Sequence, residues 1–246
     1  MPISKINATD WNRDVGAIRE SPLQFSIFGK WIVAIVGNVL QFDLLSFSTV
    51  ALPSIIDRSF AIIDREIGDC HFTAAEYAIV RRVIHATADF ELKDAIAFSE
   101  NAIDRAITAI KKGTPIVADT NMVKAGIVTL ASKYFGNPVI AAVSEVETAL
   151  PGKTRTETGI LHCCDRFPDA IFAIGNAPTA LLALCDRESF QPALVVGAPV
   201  GFVAVVESKQ ALAATSLPQI RIDGRKGGSP ATAAIVNALI ELARSD

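Results

Sequence analysis

From residue 92 to the end, the chain alternates with a regular beat between short apolar runs and stretches of helical spacing. NAIDRAITAIKKG reads as a helix ended by Gly113, and TPIVADT as a short buried strand. NMVKAGI turns and begins a helix; PVIAAV is the next strand and TRTETGILHCCDRF the next helix. DAIFAIGN, PALVVGAPVG and PQIRIDG follow as strands. Between them lie the helices APTALLALCDRESF, with Pro178 in its first turn, and ESKQALAAT. SPATAAIVNALIELARS closes the chain as a helix, with Ser229 as N-cap and Pro230 at the first position. Leu92 to Phe98 is read as a short strand. Strands of four to six uninterrupted apolar residues, separated by helices, imply a parallel sheet covered on both faces. The fold class is therefore α/β: a three-layer α/β/α, doubly wound, mainly parallel sheet spanning about 190 residues. In such sheets ligands bind beyond the carboxyl ends of the strands.

The stretch before this alternation carries the chemistry. SIIDRSFAIIDREIG has helical spacing and a stop at Gly68. Thr73 and Glu76 form a capping-box signature that opens a second helix. That helix delivers Val80 to Phe90, VRRVIHATADF. Arg82 and His85 stand at i and i+3, and Arg81 at i and i+4 from His85, so one helical face offers a fixed cation beside a group that exchanges a proton near neutral pH. Such a pair suits gripping an acidic substrate and moving a proton on it. The plainer reading is a solvated helix end, where Arg and His also suit the dipole.

The domain is expected to span residues 53–246, preceded by an extension, residues 1–52, of unassigned role. The uncharged apolar run Trp31 to Phe42 is too short to span a bilayer. An interfacial anchor or a peripheral hairpin stays open for it, although membrane association is not expected. A formal net charge of −3 leaves no basic stripe for nucleic acid, yet local arginines can still set the sign of one cleft. Four cysteines are too sparse for a disulfide framework. His162, Cys163 and Cys164 are contiguous, as are Cys70 and His71, so each group points in different directions and no metal site is expected. A reducing cytoplasm is the simplest compartment.

Four strand ends carry glycine-rich turns: Thr120-Asn121-Met122, Gly175-Asn176-Ala177-Pro178, Gly197-Ala198-Pro199-Val200-Gly201-Phe202 and Gly224-Arg225-Lys226-Gly227-Gly228-Ser229. Helix starts behind such loops suit anionic groups, and Arg225, Lys226 and Arg155 add cations. Neither GxxxxGK[ST] nor a GxGxxG opening a first crossover is present.

In order along the chain, DRSFAIID, VRRVIHATADFE, PIVADTNMVKAGI, AIGNAPTAL, GAPVGFV followed by AVVESK, and GRKGGSPATAAIVNAL resemble the precorrin-8X methylmutases of corrin biosynthesis. The likeness runs from about Ile55 to Ala243 and leaves the first fifty residues without a counterpart. It implies a flavodoxin-like fold, a homodimer with substrate at the subunit interface, and no organic cofactor. It implies that a methyl group moves between neighbouring carbons of ring C, a [1,5] migration, giving hydrobyrinate, or cobyrinate if cobalt is already present. By the same likeness His85 is the proton donor and acceptor, and Arg82 and Ser59 contact the substrate. Arg155, Arg225 and Lys226 fit the recognition of its acidic side chains. Two other readings stay open: a tetrapyrrole carrier without turnover, and a flavin- or nucleotide-binding module of the same fold.

Overall fold

The computed structural model describes residues 54–245. The apolar run Trp31–Phe42 and the rest of the N-terminal extension lie outside them. The helices are α1 (Ile55–Glu66), α2 (Ala74–Thr87), α3 (Leu92–Ala95), α4 (Ala102–Lys111), α5 (Asn121–Tyr134), α6 (Arg155–Arg166), α7 (Pro178–Cys185), α8 (Val205–Ala213) and α9 (Ser229–Ser245). The strands are β1 (Ile96–Phe98), β2 (Ile116–Ala118), β3 (Val139–Ala141), β4 (Ile171–Ile174), β5 (Leu194–Gly197) and β6 (Gln219–Ile222).

These strands form one sheet in the order β1-β6-β5-β4-β2-β3. All neighbours pair parallel except β1, which runs antiparallel along the edge of β6. The parallel strands alone, counted in chain order, read 2-1-3-4-5 across the sheet, which is the flavodoxin order. Side chains alternate between two cores, as a period of two requires. Ile116, Ala118, Ile171, Ala173, Val196 and Ile220 face the side covered by α4, α5 and α9. Val117, Phe172, Ile174 and Val195 face the side of α6, α7 and α8. Both faces of the central strands are covered, so β2, β4 and β5 carry no polar alternation; β6 does, with Gln219 and Arg221 flanking Ile220.

Helix α9 is the hub of the first side. Eleven of its residues are buried, five of them alanines among 231, 233, 234, 238 and 243. Those small side chains admit close neighbours. A Cβ on Gly126 of α5 would lie 2.7 Å from the Ala233 methyl, and Asn237 Nδ2 donates to the Gly126 carbonyl at 2.8 Å. Helix α2 packs on the outer side of α9, and α1 packs on α2. Both outer helices start from full capping boxes, Ser54 with Asp57 and Thr73 with Glu76, as does α6 from Thr154 with Glu157.

Three local readings need correction. Leu92–Phe98 is not one strand. Leu92–Ala95 makes a helical turn, and only Ile96–Phe98 pairs, with its ladder extended by Asp223 N–H to Ala95 O (2.8 Å) and Ser99 N–H to Gln219 O (2.9 Å). NMVKAGI does more than begin a helix; capped by Thr120, it continues to Tyr134, because its glycine buries against α9. At the start of α9, Ser229 is already helical and the Gly228 carbonyl accepts the Thr232 N–H at 3.0 Å. The N-cap role therefore falls on Gly228, whose φ of +104° a side chain would strain.

Candidate active site

Parallel strands β2 to β6 all end on one rim, and the antiparallel β1 begins there. The link from α2 to β1 therefore brings the C-terminal end of α2 to the same rim. Ala88 terminates α2 in the left-handed conformation and returns its N–H to the Ile84 carbonyl at 2.7 Å. His85 sits in this last turn and is exposed. Its ring meets Phe60 of α1 edge-on, with centroids 5.3 Å apart and planes at 74°.

The adjacent arginines diverge, because neighbouring positions on a helix are about 100° apart. Arg81 turns to α1: its guanidinium lies 4.4 Å over the Phe60 ring and pairs with Asp64 at 3.1 Å. Tyr77 donates to the same carboxylate at 2.5 Å. Burial and the neighbouring Asp64 push the Tyr77 hydroxyl up to about 12, so it stays a donor. Arg82 turns to α9 and pairs with Glu241 at 2.7 Å, half-buried. The cation three residues from the histidine is thus Arg82, held from the far side by a carboxylate.

His85 forms a wall between two cavities. One, of about 240 Å³, is lined by Ile56, Phe60, Arg82, His85, Pro230 and Asn237 among others. The second, of about 290 Å³, includes Ser59, Ile62, His85, Ala88 and Phe90. Arg82 thus lines the first cavity and Ser59 the second, and His85 is the side chain common to both. The Ser59 hydroxyl donates to the Ile55 carbonyl at 2.8 Å, leaving its oxygen lone pairs to accept.

The other expected cations are arranged differently. Lys226 salt-bridges Asp89 at 2.7 Å and Glu91 at 2.5 Å, just past the end of α2. Hydrogen bonds to those carboxylates raise the Lys226 ammonium, and its hydrogen bond holds Asp89 below the usual range. Lys226 therefore closes the rim locally instead of offering a free charge. Arg225 lies 5.6 Å over the ring of Phe202 with no carboxylate partner among the described residues. Arg155 opens α6, on the opposite side of the sheet from α2, and is exposed. Around the rim the exposed apolar side chains Met122, Leu150, Val200, Phe202 and Val203 come from three different strand-end loops. Phe202 and Val203 are 83% and 84% exposed, far above what a solitary folded domain needs.

The point where the strand order reverses lies between β2 and β4, the usual seat of a nucleotide in this fold. Here it is filled by the protein itself. Asp119, fully buried, accepts from the backbone N–H of Asn176 (2.7 Å) and Ala177 (2.8 Å). Burial raises its carboxyl, and those N–H donors oppose the rise. A Cβ on Gly175 would lie 2.8 Å from Val123 and 2.9 Å from the Thr232 hydroxyl. Among the described residues, no three His, Cys, Asp or Glu side chains gather to hold a metal ion. Asp119, Glu241 and Phe60 are site residues the sequence reading did not single out. Asp119 closes a buried apolar strand, which is a usable signal; Glu241 has none, because its partner is 159 positions away.

Fold and site together define a flavodoxin-like α/β/α protein. It sets a histidine beside an ion-paired arginine at an exposed helix end, next to an apolar rim. The profile of one family, described as precorrin-8X methylmutase, matches residues 54–242. A cobalt-precorrin-8 methylmutase from Synechocystis sp. is 48% identical over 206 residues, covering 77% of this chain and 95% of the relative. A precorrin-8X methylmutase from Sinorhizobium sp. is 39% identical over 195 residues, 76% of this chain and 92% of the relative. A solved structure of a precorrin-8X methyl mutase from Thermus thermophilus superposes with a TM-score of 0.72 at 41% identity, covering 78% of this chain and 98% of that one. The chain belongs to the precorrin-8X methylmutase family.

Proposed function

We propose that this enzyme rearranges precorrin-8X, or its cobalt-bearing form, by moving one methyl group between neighbouring ring C carbons. In this reading one carbon–carbon bond breaks as another forms. His85 lends a proton to the conjugated macrocycle and takes one back, so the reaction is an isomerisation with no co-reactant. The observation that carries it is the position of His85, exposed at the wall between two cavities, with Arg82 lining one and Ser59 the other. A corrin precursor bears several acetate and propionate carboxylates, which guanidinium groups engage through charge-assisted hydrogen bonds. Neither cavity is large enough to enclose a macrocycle. The substrate then lies across the apolar rim, and a second copy of the chain closing over it accounts for Phe202 and Val203 standing in water. A homodimer in the cytoplasm, with residues 1–52 as an extension outside the catalytic domain, is part of this reading. No helix among the described residues is long and apolar enough to cross a membrane.

The test is turnover. Purified protein mixed with metal-free or cobalt-bearing precursor should change its absorption to that of the corrin product. Binding without spectral conversion of either form would favour a carrier.

Arg82→Ala should weaken binding of the tetrapyrrole by about 10- to 100-fold, the worth of one charge-assisted contact, with a smaller effect on kcat. The variant also unpairs Glu241, but that side chain is 40% exposed and water screens it. Titration followed by absorbance measures the affinity; a parental value counts against Arg82 as a carboxylate contact.

A further inference from the structure

Lys209 is the one lysine among the described residues that is buried, at 1% exposure. It sits in α8, yet its ammonium does not pair with a carboxylate. It donates instead to the backbone carbonyls of Gly224 (2.8 Å) and Lys226 (2.7 Å) in the loop between β6 and α9. The Arg225 carbonyl between them accepts from the Gly201 N–H at 3.2 Å, so three successive carbonyls of this loop are taken. The loop's other end is seated as firmly. Gly228 N–H donates to the Ala198 carbonyl at 2.8 Å, and a Cβ on Gly227 would stand 2.4 Å from that same oxygen.

With its backbone held from beneath, the loop turns both long side chains outward. Arg225 reaches the exposed Phe202, and Lys226 reaches Asp89 and Glu91 at the end of the helix that carries His85. Burying an ammonium without a counter-ion is unfavourable, and burial brings Lys209 down to about 8, with Asp223 at longer range opposing. A shorter polar side chain from α8 could not reach both carbonyls. An apolar one would leave both carbonyls without this donor.

We infer that Lys209 is a positioning residue: its buried ammonium clamps the β6–α9 loop so that Arg225 meets the substrate and Lys226 ties the loop to the end of α2. The inference rests on the proposed reading of the rim as the substrate surface.

Two measurements on the full chain separate the clamp from that reading. In native protein, trypsin should cut after Arg225 or Lys226 at least about tenfold faster in Lys209→Gln than in the parent, while cutting after the exposed Lys153 stays unchanged. Lys209→Arg, which keeps charge and donors, should restore most of the protection. Equal rates at the loop in parent and Lys209→Gln, or an equal rise at Lys153, overturn the clamp. In the turnover assay, Lys209→Gln should raise KM about tenfold with kcat little changed, and that increase should largely vanish in an Arg225→Ala/Lys226→Ala background. A KM penalty that persists in full in that background means Lys209 acts elsewhere and overturns the inference. If the Arg225→Ala/Lys226→Ala variant keeps the parental KM, the assignment of Arg225 to the substrate fails, whatever trypsin reports on the loop.

Discussion

His85→Ala is expected to slow rearrangement by about 10²- to 10⁴-fold, the usual span for removing a positioned acid or base. Affinity for the tetrapyrrole should stay close to the parent's, because Arg82, Arg225 and Ser59 remain. The expectation is clean because His85 has little structural work. It is exposed, and its ring packs edge-to-face with Phe60, a contact worth about 0.5–1.5 kcal/mol. The four buried residues of α2, Ile79, Val80, Val83 and Ile84, hold the helix on its neighbours whatever stands at position 85. Alanine also favours a helical position. A folded variant that still binds but does not convert assigns the proton to this imidazole. Conversion at the parental rate removes His85 from the chemistry and points to Glu66, which lines the second cavity with it.

How far this site was legible in the sequence depends on the distance over which each contact acts. The alternation of apolar runs and helices is local, and it yielded the layers, the parallel sheet and the rim. Helix starts were legible wherever a capping box spanned three residues, as at Thr73 and Glu76. The same spacing logic put Arg82 and His85 on one face. Where a neighbour distant in sequence decides, local reading ran out. Leu92–Ala95 runs into an apolar strand, yet it coils because only the three residues after it pair with β6. Arg82 looked like a free cation until Glu241 arrived on α9, and Lys226 looked like another until the end of α2 brought Asp89 and Glu91. Nothing local marks Lys209 for burial, which depends on a loop 15 residues away. The motif resemblance compensated in part, since it names residue types in order without needing the contacts that explain them.

The largest effect on stability is expected from a position with no chemistry, Gly159→Ala in the middle of α6. On an open helix surface this change would stabilise by about 1 kcal/mol, because alanine restricts the unfolded chain and favours the helix. Here the sign reverses. A Cβ at Gly159 would lie 2.0 Å from the Ala142 carbonyl oxygen and 2.6 Å from its carbon. Both are backbone atoms of the turn that follows β3, so no side chain can swing away. Relief needs α6 to move off the sheet by about 1 Å, more than a close-packed interior gives freely. The helix is also tied at its start: Thr158 Oγ accepts the Leu150 N–H at 3.0 Å, and Thr154 and Thr179 exchange a hydroxyl hydrogen bond at 3.0 Å. Moving α6 strains both ties and shifts Arg155 on the rim. The net loss should be about 3 kcal/mol or more, lowering the melting temperature by about 6–12 °C for a domain of this size. Gly136→Ala is the comparison: no atom lies within 4 Å of its Cβ position, and only its φ of +68° resists, for about 1–2 kcal/mol. Thermal melts followed by circular dichroism should rank the parent above Gly136→Ala, and Gly136→Ala above Gly159→Ala. A Gly159→Ala protein that melts with the parent would mean that α6 can ride higher on the sheet, and that close backbone contact between α6 and the β3 turn does not fix the strand-end rim.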